Sequence, residues 1–134
     1  MGSIKKKPLI DKKCTQCYNP THIKFNFSFI TYMDDFTDEH KAKMMDRLIE
    51  ISKEPYLVVA GWRKDIGFEN IKVEIRKEIS PKFFEGNNRK FDGKYTIIRL
   101  YPNGNPCNSR IIGKMIHNIF YIFFIDIKGN LYSH

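Results

Sequence analysis

A chain of 134 residues with 42% hydrophobic side chains is long enough for one domain and one core, without help from disulfides or metal. No apolar run reaches the roughly 18 residues of a membrane span, and residues 1–13, MGSIKKKPLIDKK, lack the apolar stretch of a secretory signal. The net charge of +8 favours polyanionic partners or serves solubility alone. We expect no membrane partner, and the odd count of three cysteines favours a reducing cytoplasm.

Residues 1–21 are predicted to form an extended basic tail. Residues 1–13 contain five lysines and one aspartate, so +4 of the net charge of +8 lies there. Two prolines and small polar residues leave no helical or strand period in this segment. The remaining residues, 22–134, are expected to form a single α+β domain.

The first regular element is predicted at residues 22–32, HIKFNFSFITY. Apolar and polar residues alternate there, with Phe25, Phe27 and Phe29 at every second position. Alternation with a period of two is typical of a half-buried strand, because successive side chains point to opposite faces. We therefore expect one strand with the three phenylalanines on one face.

A helix is predicted to follow, from Glu39 to about Ser52, because the apolar residues there have helical spacing. Thr37 or Asp35 is a candidate cap, and Pro55 ends the helix. The next segment, PYLVVAGW at 55–62, is compatible either with a short second helix or with a buried strand.

The second half of the chain is predicted to consist of strands, at 70–79, 94–101, 110–117 and 119–126, with a loop at 81–93. The strand at 119–126, IFYIFFID, is apolar on both faces and is expected in the middle of the sheet. The segment after it is expected to form the final edge. This order predicts an α+β fold, a mostly antiparallel sheet of four to five strands with one or two helices packed on one face.

Candidate functional residues lie at the ends of these last strands, and they carry charge or exchange protons: Arg99, Arg110, Lys114, His117, Tyr132 and His134. Arginine holds phosphate through paired donors, and histidine or tyrosine moves a proton to or from an oxygen. Around one concavity, such a set suits phosphodiester chemistry. The alternative interpretation is structural, with arginines in solvated ion pairs, an edge aromatic and a disordered terminal histidine.

A second candidate site is CTQCYNPTH, in which Cys14 and Cys17 have zinc-ligand spacing and His22 follows five residues later. A structural zinc site needs four ligands, and Cys107 is the remaining cysteine available to complete the set. The alternative is two reduced thiols near the start of a strand. The expected cofactor content is therefore none, with zinc as the less favoured possibility.

The stretches KYTIIRLYPN at 94–103 and RIIGKMIHNIFYIFFIDIKGNLYSH at 110–134 resemble the C-terminal half of RelE-like toxins of the RelE/ParE superfamily. These proteins also open with a strand and a helix or two, and end on an arginine-bearing strand, a hydrophobic strand and a short Leu-Tyr segment. More closely, the chain resembles phage and plasmid proteins of AT-rich Gram-positive bacteria. The resemblance covers residues 22–134 and excludes the tail.

The resemblance implies a RelE-like fold and ribosome-dependent mRNA cleavage without metal, by attack of the ribose 2′-oxygen on the adjacent phosphate. It implies the ribosome or mRNA as partner, and an antitoxin protein that wraps the toxin. Arg99, Arg110, Tyr132 and His134 match the catalytic positions by segment type. Lys114 and His117 are neighbouring candidates for RNA binding. Some members of the superfamily act on DNA gyrase instead, so fold does not settle function.

Two alternatives to an enzyme remain open. The first is a non-enzymatic phage or plasmid protein that binds and inhibits a host or defence protein, with an exposed last strand recruiting the target by strand addition. The second is a zinc-stapled nucleic-acid-binding domain built on Cys14 and Cys17.

Overall fold

The computed structural model describes residues 21–72 and 94–132, which contain two helices and a six-stranded sheet. In chain order the elements are β1 (Lys24–Asn26), β2 (Thr31–Tyr32), α1 (Asp38–Ser52), α2 (Tyr56–Ala60), β3 (Glu69–Lys72), β4 (Lys94–Arg99), β5 (Arg110–Ile116) and β6 (Ile119–Asp126). The predicted α+β class is confirmed. The loop predicted at 81–93, most of the strand predicted at 70–79, and nearly all of the predicted tail lie outside the described residues.

The sheet is mostly antiparallel and has the order β1-β6-β5-β4-β3, with β2 also paired to β6. Strands β3, β4, β5 and β6 pair antiparallel in succession. Strands β1 and β2 both run parallel to β6, one after the other along its length. The first and last strands of the described fold are therefore neighbours.

The single strand predicted at 22–32 is wrong, because the chain turns in its middle. The Asn26 side-chain oxygen accepts a hydrogen bond from the Ser28 backbone N–H at 2.9 Å, an arrangement that competes with strand pairing. The three phenylalanines consequently do not share a face. Phe25 packs against the helix-side core, Phe29 packs on the opposite side of the sheet, and Phe27 is 47% exposed.

Helix α1 begins and ends close to the predicted bounds. Thr37 is its N-cap, and its side-chain oxygen accepts the backbone N–H of His40 at 3.4 Å. The His40 ring nitrogen Nδ1 accepts the Thr37 backbone N–H in return, at 3.2 Å, so histidine takes the place that glutamate often has in a capping box. The ambiguous segment at 55–62 forms the short helix α2. None of the helices in the two described ranges is long and apolar enough to cross a bilayer.

Two hydrophobic clusters lie on opposite sides of the sheet. The larger lies between the sheet and the helices, where Met44, Leu48 and Ile51 of α1 pack against the strands. The smaller, which we call the second face, contains Tyr95, Ile97, Ile112, Phe123, Phe124, Leu131 and Tyr132. Because both sides of β6 are covered, its continuous apolar sequence is explained.

The interior position predicted for β6 is confirmed, but the prediction for the segment after it is wrong. Residues 127–132 form no strand. Instead they turn back, and Leu131 and Tyr132 are buried on the second face. The described sheet ends at β3 on one side and at β1 and β2 on the other.

Candidate functional site

Arg99 and Arg110 lie directly opposite each other on neighbouring strands, and Arg110 is in turn opposite Asp126. Arg99 is two residues beyond Ile97, and Arg110 is two residues before Ile112. Since side chains alternate along a strand, both arginines project on the second face. The last residue of β4, the first of β5 and the last of β6 therefore form a row across one end of the sheet.

Asp126 fixes the turn that follows β6. Its Oδ1 accepts the Gly129 backbone N–H at 3.1 Å and its Oδ2 accepts the Leu131 backbone N–H at 3.0 Å. The carboxylate is 4% exposed, so these bonds are shielded from water. They hold the chain in the reversal that returns Tyr132 to the row of arginines.

Gly129 allows this turn to press against the loop before β5. It has φ +67°, a backbone conformation that side chains rarely adopt. A Cβ at this position would also collide with the carbonyl oxygen of Asn108. That same carbonyl accepts a hydrogen bond from Arg110 Nη1 at 3.0 Å. The glycine thus brings the turn, the loop and Arg110 into one packed unit.

Tyr132 is 4% exposed, and its hydroxyl oxygen accepts a hydrogen bond from the Arg110 guanidinium. Burial raises the pKa of Tyr132 above the usual 10.0, and the nearby carboxylates Glu69 and Asp126 add to the increase. The hydrogen bond and the charge of Arg110 act in the opposite direction but do not reverse it. The phenol is therefore protonated at neutral pH and is a proton donor rather than a base.

Arg99 is the half-buried member of the row, whereas Arg110 is only 7% exposed. The Arg99 side-chain nitrogen Nε is buried and has no hydrogen-bond partner among the described residues. A buried cationic donor without an acceptor is unfavourable, and two like charges directly opposite on a sheet repel. Asp126 lies beside Arg110 on the other side, so the remaining cost is at Arg99, where a bound anion would relieve it.

The backbone at Arg99 is held by a third arginine from the helix side. Arg47 of α1 is 1% exposed, and its Nε donates to the Arg99 carbonyl at 2.8 Å. Its Nη2 donates to the Ile66 carbonyl at 3.0 Å, and its Nη1 contacts a Glu50 carboxylate oxygen at 2.8 Å. The end of β4 is consequently tied to α1.

The remaining predicted residues do not join this row. Lys114 lies on the same face but four residues along β5, roughly 13 Å from Arg110. Its Nζ donates to the Lys94 carbonyl at 2.8 Å. His117 is exposed in the turn between β5 and β6, where it and Asn118 have positive φ of 51° and 66°. His134 lies outside the described residues.

The predicted zinc ligands are not brought together in the part of the chain that is described. Cys14 and Cys17 lie outside it. His22 forms an isolated bridge with Pro55, and the Cys107 sulfur is 3.0 Å from the Ser109 hydroxyl. Within 21–72 and 94–132 there is no group of three or more His, Cys, Asp or Glu residues that could hold a metal ion.

Sequence reasoning missed Asp126, Glu69 and Arg47. The spacing of Asp126 and Gly129 in DIKG is a turn signal and could have identified the aspartate. Glu69 precedes Ile71, which packs on the second face, and this places the glutamate on the same side of β3. No local pattern distinguishes a buried arginine such as Arg47 from an exposed one on a helix.

A cavity of about 440 Å³ lies beside the row. Its lining includes Asp34, Asp35 and Asp126 but neither arginine. Because carboxylates repel a phosphate, we place the candidate anion site at Arg99 and not in this cavity.

Comparison of the chain with protein-family models, with curated proteins and with solved structures gives no match. The functional assignment therefore rests on the chemistry of the row at the sheet end.

Proposed function

We propose that the protein is a RelE-like toxin that cleaves mRNA on the ribosome. The observation that carries the proposal is the cross-strand pair of Arg99 and Arg110 with the protonated phenol of Tyr132 bound to the second arginine. The order of elements also supports it, since two short strands and two helices precede the arginine-bearing strands and the hydrophobic β6.

In the proposed mechanism, Arg99 binds the scissile phosphate. Its partial exposure admits a ligand, and its Nε has no hydrogen-bond partner among residues 21–72 and 94–132. Arg110 is more deeply buried and adds a second positive charge that opposes the charge developing on the phosphate. It also orients Tyr132 through their hydrogen bond.

The reaction is an internal transfer that needs no metal. The ribose 2′-oxygen forms a bond to phosphorus as the bond from phosphorus to the 5′-oxygen of the next nucleotide breaks. The Tyr132 phenol, which is protonated at neutral pH, gives its proton to that leaving oxygen. His134, which lies outside the described residues, is the candidate to accept the 2′-hydroxyl proton. The proposal places the protein in the cytoplasm with ribosomes, and includes an antitoxin as its partner.

The first test is growth inhibition by Arg99→Ala expressed in a bacterial host. We expect toxicity to fall by at least about tenfold, because a phosphate contact made in the transition state is lost. Arg63→Ala is the matched control, since Arg63 is an exposed arginine whose side chain contacts Asp65. Unchanged toxicity of Arg99→Ala at equal protein level would remove Arg99 from the mechanism.

The second test uses ribosome-bound mRNA that carries a single 2′-deoxynucleotide at the mapped cleavage site. Cleavage should stop at that site and continue at others, because the attacking oxygen is missing. Cleavage should also persist in a metal chelator, at concentrations that leave ribosomes intact. Cleavage of the deoxy-substituted site would contradict attack by the 2′-oxygen.

A non-enzymatic binding protein is the second candidate, favoured by the burial of Arg110 and Tyr132 at 7% and 4% exposure. Strand addition would then use β3, an edge strand of the described sheet, and not the C-terminal segment. Replacement of Asn70 or Lys72 of β3 by proline should abolish target binding in that case. The same substitutions should leave RNA cleavage in place if the enzyme proposal holds.

A further inference from the structure

A groove of about 410 Å³ lies between the C-terminal half of α1 and Trp62, on the helix side of the sheet. Six residues line it: Asp46, Ile49, Glu50, Lys53, Glu54 and Trp62. Three acids and one lysine give this lining a formal charge of −2, and the ion pair of Glu50 with Arg47 leaves an excess of one negative charge, in a protein whose overall charge is +8. The groove is therefore an acidic site on a basic protein.

Exposed apolar side chains lie in the groove and next to it. Ile49 is 45% exposed, and Met45, one helical turn earlier on α1, is 57% exposed. Residues four apart on a helix lie on the same side, so the two side chains form a short apolar strip. A ligand for this groove would combine positive charge with aliphatic side chains.

The chain itself reaches the described fold beside this groove. The backbone N–H of Tyr56 donates to the Thr21 carbonyl at 2.6 Å, and His22 bridges Pro55. Thr21 is therefore fixed within two residues of Glu54, which lines the groove. The residues that precede Thr21 join the fold at this point.

Those residues have the complementary chemistry. Residues 1–13 contain five lysines, with Ile4 before them and Leu9 and Ile10 between them. From Thr21, the eight residues back to Lys13 span up to about 26 Å when extended. Glu54 lies two residues past the end of α1, and at the helical rise it is about 12 Å from Asp46. The lysines are thus within reach of every acid in the groove.

We propose that residues 1–13 dock in the groove between α1 and Trp62, with lysines paired mainly to Asp46 and Glu54, since Glu50 is shared with Arg47, and with aliphatic side chains on Ile49. The groove is on the helix side, opposite the face that carries Arg99 and Arg110. The docked segment keeps its five lysines away from polyanions that approach the arginine row. This inference is independent of the proposed ribonuclease activity.

Zero-length carbodiimide cross-linking of the full chain at low salt, followed by peptide mass spectrometry, tests the docking. We expect amide bonds from lysines of residues 1–13 to Asp46, Glu50 or Glu54, severalfold above those to the exposed control acids Asp34 and Asp38. An equal mixture of labelled and unlabelled protein separates bonds within one chain from bonds between chains. About 0.5 M salt should remove the preference, because screening then acts over a few ångströms.

Two outcomes would overturn the proposal. Equal yields at groove and control acids would mean that the segment does not select the groove. Cross-links that join labelled to unlabelled chains would make a second copy the source of the lysines.

The single tryptophan supplies an independent readout, because Trp62 lines the groove. Replacing Lys5, Lys6 and Lys7 by serine in the full chain should raise the acrylamide quenching constant of Trp62 by about twofold, since the segment no longer covers the ring. Serine at Lys41 and Lys43, on the N-terminal half of α1, is the control and should leave quenching unchanged. No difference between the two variants would contradict docking.

Discussion

Arginine side chains on the two sides of the sheet differ in their hydrogen bonding. On the helix side, Arg47 is 1% exposed and binds two carbonyl oxygens and one carboxylate. On the second face, Arg99 is half-buried and has a buried Nε without a partner in the described structure, opposite a second arginine. In the first arrangement each of the three guanidinium nitrogens has an acceptor, whereas the second gains from a ligand.

The difference separates a structural arginine from a candidate binding residue. Burial alone does not distinguish them, since Arg47 and Arg110 are both largely inaccessible. The hydrogen-bond partners of the guanidinium distinguish them, because a buried N–H donor without an acceptor is unfavourable. The two sides are also linked, since Arg47 donates to the backbone of Arg99.

The largest expected effect comes from Arg47→Met, which keeps the unbranched apolar stem of the side chain but removes every donor. We expect a loss of about 2 kcal/mol or more in the free energy of unfolding, because the carbonyls of Arg99 and Ile66 lose their donors. Chemical denaturation measures this, and Arg63→Met should change stability by less than about 0.5 kcal/mol. If the two variants had similar free energies of unfolding, the hydrogen bonds of Arg47 would stabilise the fold no more than an exposed arginine does.

Asp126→Asn should have a smaller effect, about 1 to 2 kcal/mol. The amide retains one acceptor oxygen, so one of the backbone N–H groups of Gly129 and Leu131 loses its partner. Amide exchange should accelerate at residues 129–132 more than in α1. Uniform acceleration throughout the fold would mean that the turn is not separately held by the carboxylate.

Tyr132→Phe should have the smallest effect on stability at neutral pH, about 1 kcal/mol for the lost hydrogen bond to Arg110. Its pH dependence is more informative. Because burial raises the folded pKa of Tyr132, the unfolded chain releases the phenol proton first, so stability falls as pH rises above about 10. Tyr132→Phe should lose less stability than the parent between about pH 9 and 11. Parallel curves would contradict the raised pKa.

Elements with a strong local period could be predicted from the sequence. The spacing of apolar residues identified α1, and the strands predicted at 94–101 and 110–117 correspond to β4 and β5. The interior position of β6 followed from its apolar sequence on both faces. The break within 22–32 was not predicted, because the apolar alternation continues through the turn that Asn26 forms with Ser28.

The candidate site could be predicted only in part. Arg99 and Arg110 could be placed together because consecutive strands of an antiparallel sheet pair. The reversal at Asp126 that buries Tyr132 depends on the close contact of Gly129 with Asn108, which residue periodicity does not encode. The burial of Arg47 likewise depends on the tertiary position of the Ile66 and Arg99 carbonyls.

The parallel contact of β1 with β6 has a consequence for synthesis. Lys24 is paired with Ile119, so β1 has no partner in the described sheet until residues 119–121 have been translated. Local contacts of α1 can form earlier, but closing a loop of this length delays assembly of the sheet. A ribosome that stalls before codon 119 would release a fragment with unpaired strands, and such a fragment is prone to aggregation and proteolysis.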